Sequence, residues 1–399
     1  MTTQQIIDLE AKYIVPTYRR PPFVLDRSDG VYLYDTEGKA YLDFVSGIAV
    51  NALGYGDAEL LATLQTQSQK LWHVSNLYHT APHVQLARSL CENSFADRVF
   101  FCNSGGESVE AALKFARKWA RETHGEGKTE FVAFSGSFHG RTMGSLAVTA
   151  REKYQAPFAP LMPGVRFAPF NDLDAASAAI TPQTCAVIVE PVQGEGGVHE
   201  ASGEFLRALR RHCDEQGALL IFDEVQSGMG RTGTLWAHEP SGMTPDIMTL
   251  AKPLGGGLPI GATLVTEAVA AAMRPGDHGS TFAAGPLACA VAHALFERVR
   301  RPAFLAHVRE VGGYLGTRLR ALSAESSVVT EVRGRGLIWG LELTVPAGDI
   351  VTAGFEAGLL TVPAGENVLR LVPPLVIEKE HVDTLVERLG PILTEMGEA

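Results

Sequence analysis

"LLIFDEVQSGMGRTG" occupies residues 219–233. With Ala218 before it, the run Leu219–Phe222 is apolar at every position and ends in two adjacent carboxylates, Asp223 and Glu224. A strand with one wet face alternates apolar and polar residues. One that is apolar throughout is buried on both faces, as in a parallel sheet. A carboxylate at the end of such a strand is costly to bury unless a cation faces it. The alternative is an acid that is simply hydrated, because connections at strand ends lie at the surface. The stretch therefore implies a fold class, and it raises the question of which positive charge Asp223 or Glu224 serves.

The same texture recurs on either side. "RVFFC" (98–102), "EFVAF" (130–134), "CAVIVEP" (185–191) and "DIMTLAK" (246–252) are short apolar runs separated by helical windows. Strands alternating with helices predict an α/β domain with a mainly parallel sheet covered on both faces. Before it, "VYLYDTEGKAYLDFVSGIAV" (31–50) alternates and turns at Glu37-Gly38, which reads as a β-meander. After about residue 290 the pattern loosens into α+β, with helical "FLAHVREVGGYLGTRLRAL" and strand-like "RGRGLIWGLEL" and "VLRLVPPLVI". The expected division is 1–57 and 291–399 as one small α+β domain built from both chain ends, around a large domain at 58–290.

Composition narrows the function. The 399 residues carry a net charge of -11, which argues against a nucleic-acid surface. The five cysteines include no CxxC pair and sit mostly in apolar runs, so reduced buried thiols are expected and a metal site is not. No apolar run reaches the roughly 18 residues of a membrane span. The first twenty residues lack a basic stretch followed by an apolar one, so a cytoplasmic location is expected.

Several motifs could carry chemistry. "NSGGESVEAALKFARKWA" starts at Asn103 behind a strand, and Val109, Ala112, Leu113, Ala116 and Ala120 form a helical stripe. Gly105 and Gly106 stand at the helix entrance, where free N–H groups and the dipole suit a phosphate. An ordinary turn capped by Ser104 is the competing reading. In "TLAKPLGGGLPIGA" (249–262), Lys252 lies among Leu250, Leu254 and Ile260. A lysine in an apolar setting has a lowered pKa and can attack an aldehyde; a plain loop lysine is the alternative. The glycines at 255–257 follow the run of strands rather than open it, which disfavours a nicotinamide loop.

"SFHGRT" (137–142) places Phe138 three residues before Arg141, in a loop at the carboxyl end of a strand, where open α/β sheets bind ligands. His139 reads as a structural histidine. "VEPVQGEGGV" (189–198) supplies Glu190 and Glu195, and "HGSTFAAGPLACA" (278–290) supplies Ser280 and Thr281. Arg370, in "NVLRLVPPL", interrupts an apolar run and calls for an acid partner, unless it snorkels at a sheet edge.

One cofactor makes these features coherent. Pyridoxal phosphate presents a phosphate, an aldehyde and a pyridine nitrogen, and it needs a cradle, a lysine and an acid. Asp223 then meets its cation, the protonated ring nitrogen. Val225, two residues on, points the same way and can press on a ring face.

The motifs also carry a family resemblance from end to end. "YLDFVSGIAVNALG", "FFCNSGGESVEAALKFARK", "AFSGSFHGRTMGSLAVT", "VIVEPVQGEGGV", "LLIFDEVQSGMGRTG", "AKPLGGGLPIGA", "HGSTF" and "VRGRGLIWGLEL" follow in order. The chain resembles the fold-type-I, class III (ω-amino acid) aminotransferases, and within them those that act on N-acetylornithine. The resemblance implies a seven-stranded, mainly parallel sheet and pyridoxal 5'-phosphate. It implies transfer of the δ-amino group of N-acetylornithine to 2-oxoglutarate, giving glutamate, as a step of arginine biosynthesis.

By the same resemblance, Lys252 carries the cofactor and moves the proton, and Asp223 binds the pyridinium, with Glu224 beside it. Gln226 lies near the ring hydroxyl, and Phe138 and Val225 cover the two ring faces. Ser104, Gly105 and Gly106 bind the phosphate, joined by Thr281 from the partner of a homodimer. Ser280 lies near the substrate, Arg141 takes its distal carboxylate, and Arg370 pairs with Glu195 until glutamate arrives.

Some positions depart from the family pattern. "GYGD" (54–57) replaces "GHxHP", Gly285 stands where asparagine is usual, and "NSGGES" has glycine where alanine or threonine is common. Gly47 stands about where ornithine-specific members carry a tyrosine, which favours an acylated substrate. Succinylornithine, ornithine, N-succinyl-diaminopimelate semialdehyde and carrier-bound lysine precursors are the alternatives. An aminomutase or a non-catalytic cofactor-binding module on the same scaffold is the alternative of another class. Retention of Glu195 with Arg370, and of Lys252 with Asp223, argues against both.

Overall fold

The computed structural model describes residues 1–398. β1 (Leu25–Asp29), β2 (Tyr32–Asp35) and β3 (Ala40–Asp43) form the antiparallel meander, with its turn at Glu37-Gly38. The large sheet draws on β4 (Arg98–Cys102), β5 (Glu130–Phe134), β6 (Val165–Ala168) and β7 (Thr184–Val189). A short hairpin of β8 (Val192–Gln193) and β9 (His199–Glu200) follows β7. β10 (Leu219–Asp223), β11 (Ile247–Leu250) and β12 (Gly261–Val265) complete the sheet. Its order is β4-β12-β11-β10-β7-β5-β6, seven strands with only β12 antiparallel to its neighbours.

The opening stretch shows why both faces are covered. Leu219 and Ile221 pack into one core with Val109, Ala112 and Ala116 of the helix Gly105–His124. Leu220 and Phe222 pack into the opposite core with Phe205 and Leu209 of the helix Gly203–Gln216. Each such side chain contributes about 1.5–3 kcal/mol by leaving water. A charge at any of these positions would break one layer.

The sequence did not announce β6 or β12. The two middle residues of β6, Arg166 and Phe167, are exposed, so no apolar run marks this edge strand. β12 starts at Gly261, inside a segment that reads as a glycine-rich loop. A Cβ at Gly261 would stand 2.5 Å from the Ser104 carbonyl oxygen, so glycine is what lets this strand lie against the helix entrance.

Beyond the large sheet, β13 (Val329–Arg335) and β14 (Ile338–Leu343) pair antiparallel. β15 (Leu359–Leu360) runs parallel to β3, joining the two chain ends. β16 (Val362–Pro363) and β17 (Val368–Leu371) close the sheet of β13 and β14. One core unites Val31, Leu42 and Phe44 with Leu315, Trp339, Leu371 and Leu389. We propose a small domain from both chain ends on that basis. The helix Pro286–Val299 runs through residue 290 and packs Cys289, Leu295 and Phe296 onto the large sheet's core, so we propose a second boundary nearer 300 than 290. Arg231, buried in the large domain, donates to the carbonyls of Leu337 and Pro373 and ties the two parts together.

All five cysteines are free thiols; Cys91 is half-buried and the other four are buried. No described helix is long and apolar enough to cross a membrane.

Candidate active site

The parallel strands of the large sheet end around one cavity of about 390 Å³. β4 delivers Asn103, Ser104, Gly105 and Gly106; β5 delivers Phe138 to Arg141; β7 delivers Glu190. β10 brings Asp223, Val225 and Gln226, and β11 brings Lys252. Glu195 enters from the hairpin loop between β8 and β9. This is the carboxyl edge of an open α/β sheet, the usual place for a ligand.

The two carboxylates of the opening stretch part ways, as successive residues leaving a strand do. Asp223 is buried on the cavity wall. Its Oδ2 lies 2.7 Å from His139 Nδ1, and its Oδ1 accepts from Thr249 Oγ1 at 3.0 Å and Val225 N–H at 3.0 Å. Glu224 turns away from the cavity. It accepts from Ala237 N–H at 2.7 Å and His238 N–H at 3.0 Å, and lies 2.6 Å from His238 Nδ1. The expectation of Glu224 beside the cofactor therefore gives way to a residue that fixes the 236–238 turn.

His139 is fully buried and its Nε2 has no partner. Burial alone would lower its pKa, but the hydrogen bond and charge of Asp223 and the charge of Glu190 raise it. Glu190 is pushed up to about 7, chiefly by burial, although His139 and the N–H groups of Phe138 and Gly194 oppose this. Its Oε2 accepts from Phe138 N–H at 3.0 Å and so fixes the loop that carries Phe138.

Lys252 is half-buried on the wall, between buried Leu250, Leu254 and Ile260. Its pKa is drawn down to about 8 by burial, with Glu195 raising it, Arg370 lowering it, and Glu190 and Asp223 raising it. Such an amine is readily available uncharged.

The helix entrance is both a capped turn and a candidate cradle. Ser104 Oγ accepts from Glu107 N–H at 3.2 Å, which leaves the N–H groups of Gly105 and Gly106 as free donors of the first turn. A Cβ at Gly105 would meet Val225 Cγ1 at 2.7 Å, and one at Gly106 would meet Thr142 at 3.4 Å. Glycine is therefore required at 105, where Val225 packs against the backbone, while the space at 106 would take a Cβ at ordinary contact distance. With an acid at one end of the cavity, a lysine beside it and bare N–H donors at a helix N-terminus, the donor set fits pyridoxal phosphate.

At the substrate end, Arg370 is 1% exposed and is not on the wall. Its Nη1 donates to Glu195 Oε1 at 2.6 Å and to Gln226 Oε1 at 2.8 Å, and Gln226 Nε2 donates to Glu195 at 3.3 Å. Gln226 thus lines the cavity with its amide committed to this pair. Burial pushes the Glu195 carboxyl up, but Arg370 and Lys252 outweigh it and leave it below the ordinary range. Arg141 lies on the wall with its guanidinium 3.5 Å from the centroid of Tyr154, and no described carboxylate pairs with it.

Ser280 and Thr281 do not line the cavity. Ser280 Oγ accepts from Asn103 Nδ2 at 2.9 Å, just outside the wall, and Thr281 lies on an exposed stretch. Tyr55, at a departure from the family pattern, donates to Asp43 Oδ2 at 2.7 Å and accepts from Asn51 at 3.2 Å. Gly47 has φ 64° and ψ 31°, and Gly285 caps the helix Pro286–Val299. His139, Thr249 and Asn103 are site residues that the sequence did not single out, and Glu190 stood there only as a strand-end acid with no role. The proximity of His139 to Phe138 in one loop was the only available signal for it.

Fold and cavity together define a pyridoxal-phosphate enzyme of the type-I α/β kind. The sequence model of the class-III aminotransferases matches residues 13–393, and the chain belongs to that family. It is 52% identical over 392 residues to the mitochondrial acetylornithine aminotransferase of Alnus glutinosa, covering 97% of this chain and 87% of that one. It is 46% identical to the acetylornithine aminotransferase of Methanocaldococcus jannaschii, covering 99% of this chain and 100% of that one. Among solved structures, the N-acetylornithine aminotransferase of Stenotrophomonas maltophilia K279a matches with TM-score 0.84 at 38% identity, covering 98% and 99%. The ornithine aminotransferase of Toxoplasma gondii ME49 matches with TM-score 0.95 at 30% identity, covering 100% and 96%.

Proposed function

We propose that this chain moves the δ-amino group of N-acetylornithine to 2-oxoglutarate, giving N-acetylglutamate semialdehyde and glutamate, as a step of arginine biosynthesis. The observation that carries the reading is the pair of buried Arg370 and half-buried Glu195 beside Lys252, with Arg141 left without an acid on the cavity wall. Two substrates that share a far carboxylate but differ at the reacting carbon call for one constant arginine and one that can be masked. The names of the relatives above support the choice of acetylornithine, as does the absence of a side chain at Gly47.

Pyridoxal phosphate, when bound, supplies an aldehyde for the amino group and a ring that takes up the electron pair freed at carbon. Gly105 and Gly106, with Ser104, would hold its phosphate; Asp223, backed by His139 and Thr249, would hold its ring nitrogen; Phe138 and Val225 would cover its faces. Lys252, with a pKa near 8, can take a proton from the reacting carbon and return it. Arg141 orients the far carboxylate of either substrate by a two-pronged contact. Glu195 neutralises Arg370 when the reacting carbon bears no carboxylate and yields it when one arrives.

The active unit in this proposal is a homodimer. Trp72, Leu77, Tyr78 and Phe282 are exposed apolar side chains, and Asn76 bonds to the carbonyls of Ser280 and Ala283, so the patch adjoins Thr281. A patch of this kind marks an interaction surface. Thr281 then reaches the partner's phosphate site. A cytoplasmic location is also proposed, supported by the free thiols.

Turnover with acetylornithine, succinylornithine and ornithine, measured side by side with 2-oxoglutarate, tests the reading. Acetylornithine should have the highest kcat/KM. A clear preference for ornithine would overturn it, and an isomerised amino acid formed without 2-oxoglutarate would point to an aminomutase.

A further inference from the structure

The turn Glu152–Gln155 and Arg151 before it lie off the cavity wall, yet they touch both of its substrate-reading ends. Arg141 has no acid partner among the described residues, so its long side chain needs something else to hold it. The Tyr154 ring does this: the guanidinium carbon lies 3.5 Å from its centroid, against 5.6 Å for Phe138. Tyr154 in turn stands edge-on to Phe138 at 6.4 Å and 84°. A stacked guanidinium keeps its N–H edge free for a carboxylate.

Arg151 reaches the other end. Its Nη2 donates to the Glu195 carbonyl oxygen at 2.6 Å and to that of Gly136 at 3.4 Å. This pins the backbone of the residue whose side chain faces Arg370. Gln155 anchors the turn itself, because its Nε2 donates to the carbonyls of Leu146, Ala147 and Thr149 at 3.0, 3.3 and 2.9 Å. Leu146 and Ala147 end the short helix Met143–Ala147 that follows Arg141, and Thr149 lies just beyond it. One five-residue segment therefore connects the loop of Arg141 to the loop of Glu195.

We infer that residues 151–155 form a positioning strut, with Tyr154 holding Arg141 for the far carboxylate and Arg151 holding the loop of Glu195. The inference rests on the aminotransferase reading given above. Both residues act through others, so their loss acts on substrate binding and on the balance between substrates.

The test compares Tyr154→Leu, Tyr154→Phe and Arg151→Met in the holoenzyme. Tyr154→Leu should raise KM for acetylornithine and for glutamate alike, by roughly three- to tenfold, with kcat within about twofold of the parent on that same scale. Glutarate, a dicarboxylate that cannot react, should bind more weakly by the same factor when followed through the cofactor's absorbance. Tyr154→Phe should restore both values. Arg151→Met should leave glutarate binding intact and slow the acetylornithine half-reaction more than the glutamate one.

Unchanged KM and glutarate binding in Tyr154→Leu would overturn the strut, as would a Phe variant as impaired as the Leu variant. An equal slowing of both half-reactions in Arg151→Met would remove Arg151 from it. If Tyr154→Leu does not fold, Tyr154→Met, which keeps bulk and loses the ring, is read in the same way. A parent enzyme inactive on acetylornithine would sink the substrate reading alone, because the glutarate measurement needs no amino donor.

Discussion

Asp223 Oδ2 and His139 Nδ1 lie 2.7 Å apart, and both residues are buried. The contact leaves the aspartate flanked by an imidazole on one oxygen and by Thr249 and Val225 N–H on the other. His139 has its pKa raised by this neighbour and Glu190, against the effect of burial. Asp223 is thereby held in one orientation on the cavity wall, and the proposed role for it is to face a cationic ring nitrogen.

Asp223→Asn keeps the size and removes the charge. The protein should fold and take up pyridoxal phosphate, while turnover falls. A charge-assisted contact is worth about 1.5–3 kcal/mol, or about tenfold to a hundredfold in rate, and the weakened electron sink adds to the loss. Isotope exchange at Cα of glutamate measures the step directly. Exchange at the parent rate would remove Asp223 from the role of ring-nitrogen partner.

Lys252 makes a prediction about stability and a second about chemistry. Its pKa is about 8 in the folded chain, against about 10.4 in an unfolded one. Below pH 8 both states bind the proton, and the folded state bears the full penalty of the buried charge. Between 8 and about 10.4 the unfolded state binds more protons, so this group's contribution to stability rises with pH. Cofactor-free Lys252→Met should therefore exceed the parent in stability at pH 7, by on the order of 2 kcal/mol, with the gap closing toward pH 10. Urea titrations across that range check it, and a pH-independent gap would contradict the lowered pKa. The same variant should hold the cofactor without its lysine-linked absorbance and should lose nearly all turnover.

The pattern of Leu219–Phe222 was enough to imply a sheet covered on both faces, since each face needs its own apolar set. Asp223 and Lys252 were legible because each breaks an apolar run at a strand end, where a charge calls for a purpose. Thr249 was not, because its bond to Asp223 follows from the register that pairs the two residues across β10 and β11. Register is a relation between strands that neither strand states alone. The direction of Glu224 followed from simple alternation after Asp223, but proximity to the motif obscured it. His139 was set aside because a lone histidine carries little information until its partner is known. Arg370 shows the reverse case: an arginine in an apolar run required an acid, and Glu195 is there.

The last prediction concerns that pair. Arg370 is almost wholly buried and Glu195 half-buried, so removing the acid leaves an uncompensated charge at a cost of up to about 3–5 kcal/mol, the figure for a fully buried pair. Glutamate brings a carboxylate to the reacting carbon and can replace Glu195, whereas acetylornithine brings none. Glu195→Gln therefore leaves Arg370 unneutralised only while acetylornithine is bound. Gln226 Oε1 still accepts from Arg370 and softens the loss without supplying charge. The glutamate half-reaction should proceed at the parent rate or faster, and the acetylornithine half-reaction should slow by about tenfold or more, the share of that penalty left after partial compensation. Single-turnover absorbance separates the two half-reactions. If both slow equally, Glu195 only supports the loop, and a different group must distinguish the two substrates at the reacting carbon.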